Sequence, residues 1–128
     1  MGITLRWGNK DHTIISYHIE APWSWEEADH ARLELDAMIL SVNHRVDFIF
    51  DVGKIGSIPK NTLQIVYDRF VSVPRNAGVF AVVGAPMMVK AMLDVLRLLR
   101  PEVFSRYYTV GSLDDAQRLI QRHTQRVH

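Results

Sequence analysis

Apolar positions recur along this chain in two rhythms, and each rhythm predicts its own kind of element. Thr4-Leu5-Arg6-Trp7 alternates polar and apolar side chains as a half-buried strand does, and Gly8-Asn9-Lys10-Asp11 supplies turn residues. Thr13 to Ile19 (TIISYHI) reads as a second strand, so the chain is expected to open with a hairpin that Ala21-Pro22 ends. From Ser24 the rhythm becomes helical. Ala28, Ala31, Leu35, Met38, Ile39 and Val42 fall on one face of a helix that runs to about Ser41. Ser24-Trp25-Glu26-Glu27 stands in front of it as a capping box, with Ser24 accepting from the Glu27 amide and Glu27 reaching back to the Ser24 amide.

The second half repeats a strand-then-helix order. Val46 to Asp51 (VDFIFD) is a short, mostly apolar run bounded by charge, as expected of a central strand covered on both faces. A loop with Gly53, Gly56 and Pro59 leads to a helix from about Lys60 to Val71, with Leu63, Val66, Phe70 and Val71 inward, and Pro74 to Gly78 breaks it. Val79 to Val83 is another buried strand. Gly84-Ala85-Pro86 turns into a third helix carrying Val89, Met92, Leu93, Leu96 and Leu99, which stops before Pro101. Tyr107 to Val110 reads as the last strand, and Ser112 caps a last helix through about His123. The order β-β-α-β-α-β-α-β-α predicts a single-domain α/β sandwich over residues 1–128, its sheet mainly parallel with an antiparallel N-terminal hairpin.

Composition narrows the class without changing this outline. At 128 residues, 48% apolar and 23% charged, the chain has the make-up of one globular domain large enough to bury a core. Its formal net charge of +1 lacks the basic excess of a nucleic-acid binder. The charge is unevenly spread: residues 1–64 carry six basic and nine acidic side chains, residues 65–128 nine and five. The later set includes Arg97, Arg100, Arg106, Arg118, Arg122 and Arg126, either a solvated helix face or a surface for an anionic partner. There is no cysteine, which excludes disulfides, thiolate metal sites and cysteine nucleophiles and fits a reducing, cytoplasmic setting. The first fifteen residues are too polar for a signal peptide, Arg6 departs from the myristoylation pattern, and no apolar run is long enough to span a membrane.

Candidate chemistry is sparse. His12, His18, His30, His44, His123 and His128 show no metal-ligand spacing, and no metal or cofactor is expected. Gly84-Ala85-Pro86 has the outline of a phosphate-binding turn but too few glycines for a dinucleotide fingerprint and no Gly-Lys-Ser/Thr. There is no GxSxG nucleophile elbow. Asp51, at the end of a central strand, would either face a ligand or fix the following loop, and the only catalytic pairing worth testing is Asp51 with Ser57 or His44. The third helix carries more apolar positions than one buried stripe needs. Met88 and Leu98 are therefore divided between core and exposed contact surface.

The segment Val46 to Leu63, VDFIFDVGKIGSIPKNTL, resembles the signature of STAS domains, the sulfate-transporter and anti-sigma-factor-antagonist family: a strand ending in Asp, a loop of the form D-L-S-x-V-x-x-I, then D-S-S/T-G-L opening a helix. Asp51, Val52, Ile55, Ile58 and Leu63 stand at the matching spacing, and Val110-Gly111-Ser112-Leu113-Asp114-Asp115-Ala116 is similar to the start of that family's last helix. The resemblance implies a non-enzymatic regulatory module that binds a protein partner. In the family the Asp-Ser-Ser/Thr-Gly stretch carries the phosphoacceptor, and here Pro59, Lys60, Asn61 and Thr62 stand there, so the usual acceptor is missing and Ser57 and Thr62 flank its place.

The first functional expectation is therefore partner binding through the loop 54–62 and the adjoining helices, with Lys54, Ser57, Lys60, Asn61, Thr62 and Met88 as contact residues and Ser57 and Thr62 as modification candidates. The second is a binding protein for a lipid-like or anionic small molecule. STAS-like sandwiches resemble lipid-transfer folds, an apolar groove under the third helix would hold an acyl chain, and Trp7, Trp23 and Trp25 offer lining surface. Homodimerisation through the hairpin edge or the third helix is compatible with both.

Overall fold

The computed structural model describes residues 2–126; Met1, Val127 and His128, and the side chains of Gln125 and Arg126, lie outside the described residues. The elements follow the expected order with one addition: β1 (Ile3–Trp7), β2 (Ile14–Glu20), α1 (Trp25–Leu40), β3 (Val46–Lys54), α2 (Thr62–Arg69), β4 (Ala77–Val83), α3 (Met87–Leu99), α4 (Pro101–Phe104), β5 (Tyr107–Val110) and α5 (Leu113–Arg126). The strands form one sheet in the order β1-β2-β3-β4-β5. β1 runs antiparallel to β2, with Ile3 opposite Ile19 and Trp7 opposite Ile15, and the remaining pairs are parallel. This is the α/β sandwich with an antiparallel edge that the pattern predicts. Among the described residues no helix is long and apolar enough to cross a membrane.

The sequential strand order decides where the helices go. A parallel crossover between neighbouring strands is right-handed, and successive crossovers that all step the same way along the sheet deposit their helices on the same face. α1, α2 and α3 with α4 lie together over Ile15, Phe48, Phe80 and Val82 for this reason. α5 follows β5 and covers the opposite face. There Ala116, Leu119 and Ile120 pack on Ile49, Val79 and Ala81, all buried.

β3 and β4 are fastened by a buried charge. Asp47 is only 3% exposed. Its Oδ1 accepts from the Val79 amide on β4 at 2.9 Å and from Arg45 Nε and Nη2 at 3.0 and 2.9 Å. Arg45 Nη1 also donates to the His123 carbonyl on α5 at 3.4 Å. Gly78 makes room for this cluster: a Cβ there would lie 2.0 Å from Asp47 Oδ1.

Several boundaries differ from the sequence expectation. The capping box is half formed. Ser24 Oγ accepts from the Glu27 amide at 3.1 Å, but Glu27 Oε2 accepts from the Gly2 amide at 2.8 Å instead of turning back to Ser24. α2 starts at Thr62, because Lys60 and Asn61 belong to the preceding turn with Asn61 at φ 68°, and it ends at Arg69, leaving Phe70 and Val71 exposed rather than inward. Leu99 is likewise exposed at the end of α3, where Leu93 and Leu96 hold the buried positions. Pro101 does not merely stop a helix. It opens the one-turn α4, which seats Val103 and Phe104 in the core.

Candidate functional site

On the face beneath α1, α2 and α3 the sheet presents side chains in rows across the strands. Strand register aligns Ile15, Phe48, Phe80 and Tyr107 in one row and Tyr17, Phe50 and Val82 in the next. The rings of the first row stand parallel: Phe48 and Phe80 are stacked with centroids 4.6 Å apart, and Phe80 and Tyr107 at 4.3 Å. Phe50 joins them, 6.0 Å from Phe80 and within 5° of its plane. Rings stacked in this way form a continuous apolar floor.

Helix side chains such as Ile39, Leu93 and Leu96 pack against that floor but do not fill all the space above it. A cavity of about 440 Å³ lies between them, roofed by Leu35 and Ile39 of α1, Leu63 and Val66 of α2, and Val89, Met92, Leu93 and Leu96 of α3. Native interiors hold few voids larger than a water molecule, and an engineered apolar cavity of ~150 Å³ already binds benzene. This void is about three times that reference volume. It lies in the size range of small-molecule pockets, roughly 300–1,000 Å³.

Tyr17 and Tyr107 are among the lining residues. Burial pushes the Tyr17 phenol up to about 12, and burial raises Tyr107 further. Both are neutral donors near pH 7, and neither hydroxyl has a hydrogen-bond partner among the described residues. The other deep polar lining groups are committed: Trp23 Nε1 donates to the Ile55 carbonyl at 2.9 Å, and Thr62 Oγ1 to the Pro59 carbonyl at 2.6 Å.

The charged lining residues gather at one end, where α1 approaches the C-terminus of α2. Asp29, Arg32 and Asp36 project from α1 one turn apart, and Arg69 closes α2. Arg69 Nη1 pairs with Asp29, and its guanidinium lies over the Trp25 ring, 5.5 Å from the centroid. Arg32 Nη1 donates to the Arg69 carbonyl at 2.8 Å, and its Cζ sits 5.7 Å from the Phe70 centroid. Asp29, Arg32, Asp36, Phe70 and Ser72 are exposed lining residues, so the cavity reaches the surface here.

The residues singled out from sequence occupy a different end. Lys54 closes β3, and its carbonyl accepts from the Ala21 amide at 2.9 Å. Ser57, Lys60 and Asn61 are exposed in the loop that follows. Thr62 is buried beneath that loop with its hydroxyl already donating to Pro59, so its modification requires the turn to open. Met88 is 60% exposed at the start of α3. That start adjoins the β3 end: Gly84 adopts φ 71°, and a Cβ on it would lie 3.2 Å from Gly53 Cα. The loop and the α3 start thus share the carboxyl edge of the sheet. Ile55, Ile58 and Thr62 reach inward to line the cavity, whereas Lys54, Ser57, Lys60, Asn61 and Met88 do not.

Asp51 meets neither Ser57 nor His44. Its Oδ2 lies 3.2 Å from His18 Nδ1, whose other nitrogen is 3.2 Å from Glu20 Oε1. His44 Nε2 instead donates to the His12 carbonyl at 2.7 Å. The two carboxylates, Glu20 foremost, raise the pKa of His18 above its ordinary value. Of the three tryptophans, Trp23 and Trp25 line the cavity and Trp7 stacks on His12 at 4.3 Å.

The sequence reading missed the Arg32, Arg69 and Asp29 cluster. Each is an ordinary charged residue on an amphipathic helix, and only the meeting of α1 with α2 makes them neighbours. No protein-family model matches this chain, and no curated protein matches it.

Proposed function

We propose that this protein binds an apolar small molecule, of lipid-like dimensions, in the cavity between the sheet and helices α1, α2 and α3. The observation that carries the reading is the cavity itself: about 440 Å³ lined by Phe48, Phe50, Phe80, Leu93 and Leu96 among others, in a chain whose other sheet face is closely packed. An apolar occupant would add dispersion contacts with these apolar walls. The role is binding rather than catalysis, in the cytoplasm, a compartment supported by the cysteine-free composition.

Neutral straight-chain alcohols test this. Their affinity is expected to rise by about 0.8 kcal/mol, roughly fourfold, for each methylene that enters the cavity, and to level off when the space is full. Val66→Trp, which takes up part of the cavity from α2, should weaken binding and lower the chain length at which affinity levels off, while the protein stays folded. Absence of binding at every chain length by calorimetry or native mass spectrometry would end this reading.

A second reading is a STAS-like interaction module that binds a protein partner through the loop 54–62, α2 and α3. The exposed apolar side chains of α3 favour it: Met87 is 86% exposed, Leu98 84%, Met88 60% and Leu99 55%. Lys60→Ala with Asn61→Ala, and separately Met88→Asp with Leu98→Asp, should each reduce capture of a partner from a native extract. Unchanged capture by both double variants would remove this surface from consideration.

A further inference from the structure

The cavity is polarised. Its floor and its α3 wall are apolar, and its four charged lining residues, Asp29, Arg32, Asp36 and Arg69, all belong to the α1 and α2 side. Two of the four neutralise one another, since Arg69 is paired with Asp29. Arg32 is differently placed. It has no carboxylate within ion-pair distance among the described residues, its one hydrogen bond goes to a backbone carbonyl, and its Cζ lies over the Phe70 ring. A guanidinium offers five N–H donors in a fork. With one of them committed to the Arg69 carbonyl, the rest of the fork is left for an oxyanion at the surface end of an apolar chamber.

Building on the cavity reading above, we infer that the mouth is a carboxylate site: Arg32 receives the headgroup of a long-chain monocarboxylic acid whose tail occupies the cavity. The charge of the headgroup follows from its neighbours. With Asp29 already paired to Arg69, Asp36, one helical turn from Arg32 on α1, is the lining carboxylate without an ion-pair partner among the described residues, so a second negative charge on the ligand would meet Asp36 with one free guanidinium to answer it. A monoanion is satisfied by Arg32 alone; a phosphate monoester, close to a dianion at neutral pH, is opposed. The aromatic contacts support an amphipathic occupant: Trp25 and Phe70, both lining residues, lie against the two guanidiniums, so charge and apolar ring surface are adjacent at this end.

The experiment compares dodecanoate, dodecanol and dodecyl phosphate on the full-length protein, at concentrations below their aggregation limits, by calorimetry and by the fluorescence of Trp23 and Trp25. The expected result is at least tenfold tighter binding of dodecanoate than of dodecanol, with dodecyl phosphate weaker than dodecanoate. Arg32→Gln should remove the preference for the acid and leave dodecanol affinity within twofold. Arg32→Lys, which keeps the charge but not the fork, should retain part of the preference and guards against a folding defect in the glutamine variant. Equal binding of acid and alcohol by the unaltered protein would overturn the headgroup site while leaving the cavity reading intact. Tighter binding of dodecyl phosphate would overturn the monoanion assignment, and a preference lost in Arg69→Gln but kept in Arg32→Gln would overturn the choice of arginine. Failure of all three ligands to bind would overturn the cavity reading and this inference with it.

Discussion

The two faces of the sheet are built from the same strands and have opposite character. On one face a single helix, α5, sits directly on the strands, and small residues make that approach: Ala81 and Ala116 are both fully buried. On the other face several helices share the cover, large rings fill the floor, and space is left over. One helix on small side chains can approach the strands closely, whereas three helices tied at both ends to neighbouring strands must satisfy their connections over a floor of large rings. Close packing and a binding chamber are thus alternative outcomes on the two faces of the same strands.

Substitutions that treat the two faces alike should expose the difference. The largest effect is expected from Asp47→Ala, which leaves the Val79 amide and the Arg45 guanidinium without their acceptor; loss of one partner of a buried pair costs about 3–5 kcal/mol. Chemical denaturation measures it, and a cost below 1 kcal/mol would show that the cluster does not hold β3 to β4. Next comes a matched pair of truncations. Leu119→Ala on the packed face should cost about 2–5 kcal/mol, whereas Leu63→Ala, which widens space that already exists, should cost about 1 kcal/mol or less. Equal costs would mean that the two faces are packed alike.

Enlargement should give the mirror image. Ala116→Leu has nowhere to go and should cost about 1–3 kcal/mol, while Val66→Trp in the ligand-free protein should stay within about 0.5 kcal/mol of the parent. The smallest effect concerns the open, polar edge of the α5 face. His18 has a pKa raised by Glu20 and Asp51, so its charged form is favoured in the folded state. That contribution is complete below the ordinary histidine value of about 6.5 and is lost as pH rises through the raised folded value. Its side chain is 37% exposed and screened, so the effect should stay under about 1 kcal/mol. The melting temperature should fall slightly between pH 6 and 8, and His18→Gln should flatten that fall; an unchanged slope would sink the pairing.

The comparison also marks what the sequence could disclose. Strand and helix order, the antiparallel hairpin and the Ser24 and Ser112 caps were legible because each depends on residues within a few positions of one another, and both serines accept the expected amides, from Glu27 and Asp115 at 3.1 Å. The extension of β3 through Gly53 and Lys54 was not, since it is set by pairing with Glu20 on β2 rather than by local preference. α4 was hidden because Pro101 serves equally as the end of one helix and the first residue of another. The candidate site was the least legible part. A void has no residues of its own, and the Asp29–Arg69 pair joins positions forty apart. The aromatic character of β3 and β4 was in plain view, yet nothing local distinguishes a ring that fills a core from one that floors a chamber.

The Asp47 cluster has a consequence for how the molecule would move. It ties β3, β4 and the C-terminal part of α5 through one carboxylate and one arginine, so motion on loading is expected in the opposite helices rather than in this half. Loading the chamber should then leave a lopsided signature in amide hydrogen exchange. Protection would change along α1 and α2, while the Val79 amide, held under Asp47, would keep the same slow clock whether the chamber is empty or full.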